Sequence, residues 1–153
     1  TQEKMGTNKP TKILCLQVCF RSKFSNNRWY LDSACSRHMI GDRAMFSTLK
    51  SKEWGHVTFG DNSKGKIIGE GNISKSSSPI IENVLLVEGL KHNLLSISQM
   101  CDKGNHVSFD KSYCTIKNST DNLVLFVGHK DENVYTFDSN HNVKCLSSLN
   151  ESG

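Results

Sequence analysis

Short apolar runs separated by turn-forming residues recur along the chain from Trp29 onward. Trp29-Tyr30-Leu31 is the first, and Val57 and Phe59 alternate ahead of Gly60-Asp61-Asn62. Ile67-Ile68 follow the turn Ser63-Lys64-Gly65, and Ile73, Ile80-Ile81 and the run 84–87 continue the series. Runs at 107–109, 113–116, 123–127 and 134–137 complete it. β-branched and aromatic residues with turns at this spacing predict an all-β (mainly β) fold, barrel or sandwich. Helical spacing is confined to one short stretch, 94–103: Leu94, Ile97 and Cys101 share a face with Met100 beside them, and Gly104 stands where a helix stop belongs. Residues 1–27 are rich in Lys, Asn, Thr and Ser around an apolar island at 13–20, which reads as a flexible linker with at most one short strand. Residues 138–153 read as a polar tail.

With 153 residues the chain can hold one domain with a real core, or a smaller domain with ragged ends. Its 36% hydrophobic and 22% charged content favours the second version. The formal charge of +4 is modest and the lysines are dispersed, so no direct nucleic-acid site is expected. No apolar run approaches the roughly 18 residues of a membrane span, and no signal-peptide pattern opens the sequence. A soluble cytoplasmic protein with no membrane partner is the expectation. The six cysteines do not form a secreted disulfide framework and are expected to be free thiols, most of them buried.

The most informative chemistry follows the first apolar run. Asp32-Ser33-Ala34 is an aspartate delivered by a strand into a tight turn, with a hydroxyl next and a tiny residue after it. A carboxylate so placed can bind and activate water, the hydroxyl can tie the loop down, and a small side chain lets the backbone turn closely beneath. The same tripeptide also suits an ordinary strand-end turn.

The longer string 29–39, WYLDSACSRHM, resembles the protease region of the Pol polyprotein of copia-type LTR retrotransposons. Two further blocks match in order: VTFGDN at 57–62 with KIIGEG at 66–71, and NVLLVEGLKHNLLSISQ at 83–99. The resemblance covers about residues 28–137. It implies a retropepsin-like closed β-barrel at 28–108 with one short helix near 94–103, and a pre-integrase linker segment beginning at 109–153. It also implies an aspartic endopeptidase that cleaves the Gag-Pol precursor, in virus-like particles, without a cofactor. Asp32, Ser33 and Ala34 would be catalytic, with Ala34 standing where glycine is more common. Two carboxylates must share one proton in such chemistry. No other Asp here has the same setting, so the second would come from a homodimer partner. The segment 66–71 would be the flap hairpin over the peptide substrate, through Lys66, Ile67, Ile68, Gly69 and Gly71. The alternative is a non-catalytic β-barrel module of a degenerate element copy.

Cys35 and His38 have metal-ligand spacing, and Cys101 and Cys114 could complete a tetrahedral zinc set. Cys15 and Cys19 form a second candidate pair. Buried thiols and a hydrogen-bonded core histidine are the preferred reading, with no metal expected. A Cys35–His38 thiol dyad is disfavoured, because both lie on one tight turn without a third orienting residue.

Overall fold

The computed structural model describes residues 27–76 and 78–139. The apolar island 13–20, Cys15, Cys19, Cys145 and most of the expected tail lie outside the described residues. Among the described residues there are eleven strands, one short α-helix and a 3-10 turn at Arg43–Met45. The strands and helix are β1 (Arg28–Asp32), β2 (Met39–Ile40), β3 (Thr48–Ser51), β4 (His56–Thr58), β5 (Lys64–Lys75), β6 (Ser78–Val87), β7 (Asn93–Ser96), α1 (Ile97–Asp102), β8 (Asn105–Phe109), β9 (Tyr113–Asn118), β10 (Val124–Asp131) and β11 (Val134–Asp138). Most strands fall on the predicted apolar runs, whereas β2, β3 and β7 do not. The fold is mainly β, as the spacing of apolar runs predicts.

The strands form one hydrogen-bonded path, β3-β5-β6-β2-β7-β1-β11-β10-β9-β8, with β4 added on β5. Parallel pairing joins β1 to β7 and β2 to β6, and the other pairs are antiparallel. Strands at the middle of this path are covered on both faces. Trp29, Leu31, Ile40, Val84 and Leu95 enter one core cluster, while Tyr30, Met39, Leu85, Val87 and Leu94 enter a second. Two-sided burial is why these strands read as unbroken apolar runs rather than as alternation. Trp29 is fully buried and stacks parallel to Phe137 at 6.2 Å between ring centroids.

The closed barrel expected from the sequence is not what the pairing of the described strands gives. The path ends at β3 and β8, which do not pair with each other. Both end strands are short and mostly exposed, with Lys50, Ser51, His106 and Ser108 facing water. Such polar edges have little to gain from closure. Strands β9–β11, placed by sequence in a following segment, belong to the same sheet as β1, and Ile116, Phe126 and Phe137 share a core with Trp29.

The helix is shorter than the stretch 94–103. Leu94 and Leu95 lie in β7, because each is buried on a different face of the sheet, and a helix could not do that. Within α1 the buried residues are Gln99 and Met100, while Cys101 is exposed. Gly104 ends the helix as expected, at φ +85°.

The segment 66–71 is not a hairpin. It lies inside β5, paired on one side with β4 and β3 and on the other with β6. The hairpin tips fall instead at 59–63, where Phe59 N–H donates to Ser63 C=O, and near Lys75–Ser78. Gly69 and Gly71 serve close approach rather than hinge motion. A Cβ on Gly71 would stand 1.9 Å from the Thr48 carbonyl oxygen and 2.9 Å from Leu49 Cα. Gly71→Ala should therefore push β3 off β5 and cost about 1–3 kcal/mol. The readout is a lower urea midpoint at unchanged slope. A wild-type midpoint would mean that β3 yields freely.

Candidate active site

Asp32 is the last residue of β1 and pairs in parallel register with Ser96, the last residue of β7. Beyond these two residues the chains diverge, one into the turn at 33–38 and the other into α1. Asp32 is buried, with 9% of its surface exposed, while Ser33 and Ala34 face solvent. Its carboxylate Oδ1 accepts the Ala34 N–H at 2.7 Å, and its carbonyl faces the Cys35 thiol at 3.8 Å. Ala34 has no positive φ, so its methyl group sits in the turn without the strain that would call for glycine.

The remainder of the turn is held from α1. Ser96 caps the helix, its Oγ accepting the Gln99 N–H at 3.1 Å and donating to the Cys35 carbonyl at 2.7 Å. Ser96-x-x-Gln99 is a capping-box sequence, in which the Gln side chain ordinarily returns to the cap residue's own N–H. Here that exchange is diverted. Gln99 Oε1 accepts the His38 N–H at 2.8 Å, and the Ser96 N–H donates to His38 Nδ1 at 2.9 Å. Gln99 Nε2 donates to the Asn83 carbonyl at 3.1 Å, which ties the same group to β6.

His38 is almost fully buried at 2% exposure. Burial, reinforced by the nearby Arg37 and Lys103 charges, lowers its pKa from 6.5 to about 3. It is neutral near pH 7, and acceptance at Nδ1 places its proton on Nε2. Arg37, the preceding residue, pairs with Glu70 at 2.6 Å, and Lys52 reaches the other Glu70 oxygen at 2.8 Å. Burial opposes the Glu70 charge, but the Lys52 and Arg37 hydrogen bonds outweigh it and hold the carboxyl below its ordinary range. Lys52 also lies 3.2 Å over the Trp54 ring.

The four candidate zinc ligands do not converge. Among the described residues no group of three or more His, Cys, Asp or Glu side chains is placed to hold a metal. His38 spends Nδ1 on Ser96, Cys101 is on the exposed side of α1, and Cys114 lies in β9 beneath Gly128. Burial pushes the Cys114 thiol up to about 11. The residues missed by sequence reasoning are Ser96 and Gln99, for which the capping-box spacing was the available signal.

Two outcomes follow. Ser96→Ala removes the cap and leaves the buried Cys35 carbonyl unpaired, and should cost about 2 kcal/mol or more in urea denaturation. A loss under about 0.5 kcal/mol would show that the turn does not lean on this hydroxyl. Alkylation of the folded protein followed by peptide mapping should modify Cys101, while Cys35 and Cys114 react only on unfolding. Equal labelling of all three would contradict their burial.

Residues 29–105 match the family model described as the Pol polyprotein β-barrel domain. The retrovirus-related Pol polyprotein from transposon RE1 of Arabidopsis thaliana is 28% identical over 119 residues, covering 74% of this chain and 8% of that protein. No solved structure matches the chain. No helix among the described residues is long and apolar enough to cross a membrane. The matched family and the ordered blocks around Asp32, β5 and β7 agree, and the chain belongs to the β-barrel domain family of copia-type Pol polyproteins.

Proposed function

We propose that this segment is a retropepsin-like aspartic endopeptidase that cleaves its Gag-Pol precursor as a homodimer. The observation that carries the reading is the setting of Asp32: a buried carboxylate at the end of a doubly covered strand, anchored by the Ala34 N–H in a turn braced from α1. A group held this way loses little freedom on binding a water and a scissile carbonyl. In the dimer, Asp32 of each copy faces the two-fold axis and the pair holds one proton. The ionised member takes a proton from the water as it attacks the peptide carbonyl carbon, and the protonated member supplies one to the carbonyl oxygen. Collapse of the tetrahedral intermediate breaks the C–N bond as the leaving nitrogen gains a proton. Ser33, exposed beside Asp32, hydrogen-bonds across the dimer axis.

An extended peptide substrate runs past these turns. Lys66, Ile67, Ile68, Gly69 and Gly71 support the substrate cover rather than forming it, and the β4–β5 tip at 59–63 is the part free to close. The work is done in the cytoplasm, inside virus-like particles, and needs no cofactor. One observation favours the non-catalytic alternative: the segment matching the expected flap is locked in a strand on both sides.

The deciding experiment is processing of a precursor containing this segment. Asp32→Asn should abolish cleavage at least 100-fold and leave the β circular-dichroism signature unchanged, and wild-type cleavage should rise faster than linearly with concentration. Cleavage that survives in Asp32→Asn, or a confirmed wild-type dimer that is inert, removes the enzyme reading.

A further inference from the structure

We propose that His38 is the positioning residue of the Asp32 turn and that it holds the turn only as the neutral imidazole, so that protonating it in acid releases the turn before the sheet unfolds. The Ser96 N–H is a buried donor whose acceptor is His38 Nδ1. An imidazolium has two N–H donors and no acceptor, so protonation sets donor against donor and leaves both groups unsatisfied. Ser96 cannot shift away alone. Its Oγ holds the Cys35 carbonyl, and its backbone pairs in register with Asp32.

Among the described residues, the charges that act on His38 are cations. From its own turn comes Arg37, a cation whose charge is taken up by Glu70 of β5. From the end of α1 comes Lys103, paired with Glu82 of β6. Both acidic partners are thus already engaged, and the two cations disfavour a third positive charge. The linkage sign is set by a folded pKa below the unfolded one. The stabilisation is complete above about pH 6.5, declines as pH falls and levels off near pH 3. Opening of the turn should become up to about tenfold more favourable per pH unit within that window. Resting on the peptidase reading, cleavage should lose its acid limb through His38 as well as through the aspartate pair.

The test uses the full chain and amide hydrogen exchange between pH 7 and 4, expressed as protection factors. In the wild type, the Ser96 and Ala34 amides should lose protection steeply as pH falls, while β9, paired on both sides, keeps its own. Asp32 is also titratable and touches Ala34, so Ser96 gives the primary reading. His38→Asn places an amide oxygen near the Nδ1 position and cannot titrate, so it should flatten the Ser96 pH dependence. His38→Leu should open the turn at every pH. Should either variant fail to fold, the wild-type profile of Ser96 against β9 decides alone. Loss of Ser96 protection only together with β9, or an unchanged pH dependence in a folded His38→Asn, overturns the proposal. Because exchange needs no substrate, an inert protein with the expected profile sinks the peptidase reading and leaves this one standing. An active protein with a flat Ser96 profile does the reverse.

Discussion

Everything that positions Asp32 depends on the burial of β1 on both faces. Trp29 and Leu31 point into one core, Tyr30 into the other, and both edges of the strand are occupied, by β7 and β11. A strand enclosed on four sides has no room to shift register, since a one-residue slip would exchange its two core faces. Its last residue is therefore fixed in space before any local interaction acts on it. The carboxylate inherits that rigidity, and the turn beyond has only to redirect the chain.

The diverted capping box solves a local accounting problem. Both the N–H groups of the first helical turn and the backbone of a tight turn need partners, and neither is supplied by regular structure. At Ser96 and Gln99 the two needs are met together. The helix lends its cap side chains to the turn, and the turn returns an imidazole nitrogen. An element of six residues could not persist on helix propensity alone. Its coupling to the turn, and to β6 through Gln99, gives it a reason to be ordered.

Much of this was readable from the sequence. The strands at 84–87, 107–109, 113–116 and 134–137 appear where apolar runs meet turn residues, and the Asp32 turn lies at the end of its strand. The misreadings have physical causes. Leu94-Leu95 looked helical because a strand buried on both faces has lost its alternation, leaving a short apolar run that suits either element. The segment 66–71 looked like a hairpin because of its glycines, whose actual use is to admit the backbone of β3. Cys35 and His38 had the spacing of ligands, but spacing along a turn does not specify where the imidazole nitrogens point. Sheet closure lay beyond reach, since it depends on edges whose partners no local pattern specifies.

The pairing of β1 also sets an order of events during synthesis. One neighbour of β1 is β7, and the other is β11, near the far end of the described chain. When β1 leaves the ribosome, neither exists. Trp29 must wait for Phe137 before its ring is covered, whereas the partners that brace the aspartate turn, in β7 and α1, are made earlier. Pairings so distant along the chain close slowly, and they expose apolar strands in the interval. Shortening the chain at β10 would leave its first strand with an open edge.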